Sequence, residues 1–154
     1  MTVFVKAADV AIEITSRLAG ILVANGHESD IGSTVHRGKR KLPMEDEVPC
    51  CILIEGADEI EDTAGRSQTA LVKVRQTYYI DAFSACDPDN PNDAAHAMIR
   101  DIKRVLFKGG RTFDGKVAEV SYLGRDIGPR PDGVALVQAR VMIDVSFAED
   151  LANP

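Results

Sequence analysis

From Thr69 to Ala85 the chain reads TALVKVRQTYYIDAFSA, and its side chains alternate in character. Val72, Val74, Tyr78, Ile80 and Ala82 fall on one face, and Lys73, Arg75, Thr77 and Asp81 fall on the other. A sustained period of two, built from β-branched and aromatic residues, belongs to a half-buried strand of an antiparallel sheet. The stretch far exceeds the roughly 5–6 residues of an ordinary strand. Part of it is therefore expected to project as a hairpin arm or sheet edge.

The other elements arrange themselves around this strand. Residues 3–24 read as a helix stopped by Asn25-Gly26. Lys6, Asp9, Glu13, Ser16, Arg17 and Gly20 form its narrow polar stripe. Val5, Ala8, Ile12, Ala19 and Leu22 lie on one apolar flank, and Val10, Ile14 and Ile21 on a second. A helix facing a single sheet needs an apolar stripe of about 100° or a little more. This helix is apolar over a wider arc, so either it is wedged deep in its own core or the second flank meets another subunit.

Residues 27–48 read as loop with a short strand at Ser33–Arg37. The loop holds a basic run (Arg37, Lys39, Arg40, Lys41) followed by an acidic one (Glu45, Asp46, Glu47). It is a solvated surface loop or a charged docking loop. Cys50–Gly56 is a buried strand by its shortness and its flanking Pro49 and Gly56, and polar residues 57–68 read as a turn. A second helix opens at Asn90 and Pro91, with Asp93 in its first turn. Its apolar face is Ala94, Ala95, Met98, Ile99, Ile102, Val105 and Leu106, and Gly109-Gly110 stops it.

Lys116–Gly124 reads as a strand and Arg125–Gly133 as a Pro/Gly-rich loop. Val137 to Phe147 alternates cleanly as a closing strand, and AEDLANP looks like a frayed tail. The order helix, strands, helix, strands implies an α+β fold: a mainly antiparallel sheet with two helices packed on one face, plus a projecting hairpin or long loops. The second sheet face is polar, and it can be wet, line a channel or meet a partner. At 154 residues the chain reads as one domain, residues 1–154.

Charge and cysteine usage bound the function. A net charge of −6 and a pI near 5.0 disfavour sequence-independent nucleic-acid binding, which relies on Lys and Arg to neutralise phosphates. Cys50, Cys51 and Cys86 suggest no paired framework, so a reducing, cytosolic setting is expected. No apolar run approaches the roughly 20 residues of a membrane span. Lys6, Asp9, Glu13 and Arg17 interrupt what would otherwise be a signal-peptide core.

No pattern of residues carries catalysis. Gly110-Arg-Thr-Phe-Asp-Gly-Lys116 imitates the start of a phosphate-cradling loop, but Val117 stands where Ser or Thr must hold magnesium. It also follows a helix and enters a strand, the reverse of what a phosphate cradle requires. Asp87, Asp89 and Asp93 imitate a calcium loop, yet its sixth position is Asn92 and its twelfth Met98. His27, His36 and His96 have no zinc spacing with the cysteines. No cofactor, metal ion or enzymatic activity is expected.

Five stretches together resemble a known family. They are Val23-Ala-Asn-Gly-His-Glu-Ser-Asp30 with His36-Arg-Gly38, Val48-Pro-Cys-Cys-Ile-Leu-Ile-Glu55, the long strand ending Tyr79-Ile-Asp-Ala-Phe83, the helix opened by Asp89-Asn-Pro-Asn-Asp93, and Ala139–Phe147. In pattern and order across nearly the whole chain this resembles the small tail terminator (tail completion) proteins of long-tailed phages and prophages, the group of the lambda-type minor tail protein U. The resemblance implies an α+β domain that forms a homo-oligomeric ring, commonly a hexamer, capping the head-proximal end of the tail tube. Its partners would be copies of itself, the tail tube protein and a head completion or connector protein, with DNA only passing through the lumen. It would act in the host cytoplasm during assembly and then in the virion tail.

Neighbouring roles in tail-tube or head–tail joining proteins stay open, as does a cytosolic small-ligand binder. A ring needs two unlike complementary patches on each subunit. Candidate interface residues are Val10, Ile14 and Ile21 on the first helix and Lys73, Arg75 and Tyr79 on the long strand. Candidate tube or head docking residues are Arg37, Lys39, Arg40, Lys41, Glu45 and Asp46 in one loop and Arg125, Asp126 and Arg130 in another.

Overall fold

A computed structural model describes residues 3, 6–38, 43–62, 70–128 and 134–153. Within them lie α1 (Ala7–Ala19), β1 (Val35–Arg37), β2 (Cys50–Asp62), β3 (Leu71–Ala85), α2 (Pro91–Leu106), β4 (Glu119–Ile127) and β5 (Leu136–Asp150). The strands form a five-stranded sheet in the order β1-β2-β3-β5-β4. All neighbours are antiparallel except β1 and β2. This is the expected α+β architecture. Among the described residues no helix is long and apolar enough to cross a membrane.

The alternation that marked β3 sorts its side chains as expected. Tyr78, Ile80 and Ala82 are fully buried, and they meet Ala139, Val141, Ile143 and Val145 of β5. Onto this inner face pack Val10, Ile14 and Leu18 of α1 and Ala95, Met98, Ile99, Ile102 and Leu106 of α2. Phe113 and Val117, from the connection between α2 and β4, close the core at one end. The Tyr78 hydroxyl is buried with no hydrogen-bond partner among the described residues, and burial pushes its phenol pKa up.

Helix α1 ends earlier than its apolar pattern suggested. Gly20 caps it, and the chain then straightens to insert Ile21, which is fully buried. A short 3-10 turn follows at Val23–Asn25, so Asn25-Gly26 closes that turn and not the helix. The backbone at Gly32 comes back against this corner, where its N–H donates to Ile21 O at 2.9 Å. A Cβ on Gly32 would overlap Leu18 O and the Ile21 backbone, so glycine is required by close approach.

Strand β2 continues to Asp62, through residues that read as a turn. Its polar outer half is strand because it has β3 to pair with, and Asp58, Glu59 and Ile60 are exposed there. Gly56 and Ala57 together oppose Thr77, a bulge at which the Gln76 side chain donates to Gly56 O at 2.6 Å. A Cβ at Gly56 would press on Thr77 O and the Tyr79 ring. A second irregularity lies between Ile60 and Asp62.

β5 likewise runs to Asp150, which corrects the expectation of a frayed tail from Ala148 onward. Its pairing with β3 is continuous from Leu71↔Asp150 to Ala85↔Leu136. The projecting part of the long strand is therefore a three-stranded arm, not a lone hairpin. β4 begins at Glu119 and runs to Ile127, shifted toward the C-terminus from the expected Lys116–Gly124.

Two substitutions test this packing. Gly32→Ala should destabilise the fold by about 1–3 kcal/mol through overpacking at the α1 corner, read from the urea midpoint. Tyr78→Phe removes a buried hydroxyl without a partner, so its midpoint should equal or exceed that of the wild type. A clear loss would mean the hydroxyl is paired.

Candidate interaction surfaces

Four surfaces carry the chain's unusual chemistry. The first is the sheet face opposite the helices. Arg140 of β5 grips Asp81 of β3 through two hydrogen bonds of 2.6 and 2.8 Å, and its guanidinium stacks 5.1 Å from the Tyr79 ring centroid. Asp81 is only 5% exposed, so this pair is held in place. The Asp81 hydrogen bond also raises the Arg140 pKa, which keeps the guanidinium ionised. Beside it Thr77 donates to Asp144 at 2.7 Å. Toward β1 the same face turns apolar, where Cys50, Ile52 and Phe83 are buried with Val48 and Ile54 against them.

Lys73, Arg75 and Tyr79 all lie on this outer face. Arg75 donates to Glu61 at 2.7 Å and Lys73 stands 3.6 Å from the same carboxylate. They are thus clustered, with their charges already engaged within the chain.

The α1 candidates are placed otherwise. Val10, Ile14 and Ile21 are fully buried in the chain's own core, which removes them as an outer patch. The flank that faces outward is the other one, with Ala8 and Ala19 exposed and Ile12 55% exposed. Burial gain scales with apolar area, so the flank with the larger branched residues turns inward and the alanine-containing flank turns out.

The second surface is a groove of about 750 Å³ between α1 and the end of α2. Arg17 occupies it. Its guanidinium donates to Val105 O at 2.8 Å and Lys108 O at 3.0 Å, which satisfies carbonyls at the α2 C-terminus. It also reaches Glu13 and Asp114, each at 3.1 Å, and lies 4.8 Å from the Phe113 ring centroid. Lys116 bonds Glu13 at 3.2 Å, so the loop that imitated a phosphate cradle spends its lysine on a structural carboxylate. The groove's central charges are paired internally.

The third surface is basic and aromatic. Arg100, Lys103, Arg104, Phe107, Arg111 and Tyr122 line a groove of about 490 Å³ between α2 and β4. Lys103 sits 4.6 Å over the Tyr122 ring. Arg100 forms a forked pair with Glu28 at 2.7 and 2.9 Å, and this hydrogen bond holds the Glu28 pKa below its usual value. Arg104 donates to Gly26 O at 3.2 Å. Arg111 has no ion pair among the described residues. Beyond the groove runs the outer edge of β4, which has no strand partner among the described residues and where Tyr122 and Leu123 are 40% and 48% exposed. Arg100, Lys103 and Arg104 share one face of α2 through the helical period, whereas only the tertiary fold brings Arg111 and Tyr122 to them.

The 27–30 loop that supports this groove is anchored by a carboxylate which sequence reasoning missed. Asp101 of α2 is fully buried. It accepts Glu28 N at 3.0 Å, Ser29 N at 2.8 Å and the Ser29 hydroxyl at 2.6 Å. The available signal was an Asp next to the apolar stripe, between Arg100 and Ile102.

The fourth surface is the outer half of β2. β1 covers only Cys51–Leu53, so from Glu55 to Asp62 the outer edge of β2 has no strand partner among the described residues. Asp58 and Glu59 are exposed there without a salt bridge among the described residues, and Ile60 is 50% exposed.

Of the loop candidates, Arg37 ends β1 and stands 3.8 Å from Glu55. Glu45 and Asp46 belong to a 3-10 turn, Glu45–Glu47, closed by Glu47 accepting Met44 N at 2.9 Å. Lys39, Arg40, Lys41 and Arg130 lie outside the described residues. Arg125 and Asp126 are exposed strand residues of β4 and not loop, because β5 offers Val141 and Arg140 as partners.

The cysteines are not disulfide-bonded, and burial pushes the Cys51 thiol up to about 12, with Cys50 adding to the shift, so it stays protonated. Asp87 accepts the Asp89 N–H at 3.0 Å as a turn residue. Among the described residues no three His, Cys, Asp or Glu side chains converge to hold a metal ion.

Arg17→Ala should cost about 3 kcal/mol in urea unfolding, since it strands the Val105 carbonyl of the last helical turn and the Lys108 carbonyl just beyond it, and breaks two ion pairs. Arg17→Lys should recover less than half of that, because an ammonium cannot reproduce the planar fork. Equal stability of the two variants would refute this role.

Comparison with protein-family models and with curated proteins finds no match for the chain.

Proposed function

We propose that the chain is a structural virion subunit that assembles into a ring, a hexamer by resemblance, at the head-proximal end of a phage tail tube. The ring ends tube polymerisation and presents the surface to which the head attaches. The observation that carries this reading is that the far end of the β2–β3–β5 ladder leaves apolar surface uncovered. Its arm leaves Ile60 and Leu71 about half exposed, at 50% and 47%, and leaves an edge without a strand partner among the described residues. Copies of the chain gain by covering such surface.

The two-layer α+β fold agrees with what the family resemblance implies. The partners in this reading are further copies of the chain, the tail tube protein and a head completion or connector protein. DNA passes through the lumen, and a net charge of −6 favours sliding over sticking. The subunit acts in the host cytoplasm during assembly and in the virion tail afterwards. It performs no reaction.

Open strand edges also suit a tail-tube or head–tail joining subunit, so the assembly geometry decides between the two. Native mass measurement and negative-stain images of the purified protein, alone and with growing tail tubes, separate them. Closed rings of uniform subunit number that halt tube growth are expected. Open filaments would assign the chain to the tube, and a protein that leaves tube length unchanged would sink the capping role.

A further inference from the structure

The geometry points to a head-to-tail contact in which the basic β4 margin of one copy receives the acidic β2 arm of the next. β4 ends the strand order on one side, and on the other side β1 leaves the outer half of β2 uncovered, so β3 and β5 lie between the two margins. One copy therefore cannot satisfy both within itself.

The β4 margin carries Lys103, Arg104 and Arg111 around Tyr122, and Glu28 is forked to Arg100 and also attracted by Arg104. The β2 margin carries Asp58 and Glu59, both exposed and without a salt bridge among the described residues; Asp58 stands on the helix side of the sheet, and Glu59 on the other side, where its charge also acts on Arg75. Each also holds exposed apolar side chains next to its charges: Tyr122 and Leu123 on one, Ile60 on the other. In a protein of net charge −6, concentrating cations at one sheet margin raises attraction for an acidic surface above the average for the molecule.

Register supports the pairing of these faces. Asp58 and Ile60 oppose Gln76 and Val74, so they stand on the inner side of the sheet, where both are exposed at its margin. Tyr122 opposes Ile143 and stands on that same inner side, beside α2. The β4 groove and the arm are thus unlike in charge and sign-complementary. Such a contact repeats from copy to copy and closes into a ring or runs on as a filament. The contact deepens the ring reading above, and depends on that reading only for closure.

The experiment uses two full-length variants, one with Lys103→Glu and Arg111→Glu, the other with Asp58→Lys and Glu59→Lys. Circular dichroism and thermal melting check that each stays folded. Each alone should lose association by about tenfold or more, and wild-type association should weaken as salt rises. Mixed, the acidic arm of the first variant meets the basic groove of the second and the lysine arm of the second meets the glutamate groove of the first, so the mixture should assemble with the two variants alternating. All four substitutions in one chain swap both charges and should restore assembly.

Variants that assemble like the wild type would overturn the contact while leaving the ring reading standing. Assembly that depends on both margins but gives only filaments would keep the contact and reject the ring. A wild-type chain still monomeric at about 1 mM would overturn the contact. So would a groove variant that self-associates normally but loses affinity for duplex DNA.

Discussion

The uninterrupted pairing of β3 with β5 is the constraint on which the other elements depend. Its ladder runs from Leu71↔Asp150 to Ala85↔Leu136. A slip of one residue would turn Tyr78, Ile80 and Ala82 outward and bring Asp81 into the core. The register is held from both faces: by apolar packing against the helices on the inner face, and by the Asp81–Arg140 fork and the Thr77–Asp144 bond on the outer. Because the ladder continues to Leu71 and Asp150, it also creates the arm, where Leu71 is exposed. The same pairing thus builds the core and exports an unfinished edge.

Polar anchors then tie the periphery to that core. Arg17 joins α1, the end of α2 and the following loop through carbonyls and carboxylates. Asp101 holds the 27–30 loop on α2 from a buried position. These contacts cost desolvation, and they are tolerable because their hydrogen-bonding capacity is largely met. They also decide which charges are paired. Glu13, Glu28 and Glu61 are taken internally, whereas Arg111, Asp58 and Glu59 form no salt bridge among the described residues.

Legibility followed the range of the interactions. β3, β5 and the apolar face of α2 were readable because period and amphipathicity are properties of neighbouring residues. The polar half of β2 read as turn and the end of β5 as tail because each is strand only by virtue of a partner remote in sequence. Arg125 and Asp126 became strand residues for the same reason. On α1, periodicity found two apolar flanks but could not choose between them, and Val10, Ile14 and Ile21 went inward where a subunit contact was expected.

By itself the sequence determined the α+β class, the inner and outer faces of the long strands, and the acidic, loop-punctuated character of the chain. These follow from side-chain period and composition, which need no knowledge of what lies across the sheet. Only the tertiary structure decided that Lys103, Arg111 and Tyr122 share one margin while Asp58, Glu59 and Ile60 occupy the other. That arrangement depends on strand order, and strand order is set by long-range pairing and packing that no local pattern records.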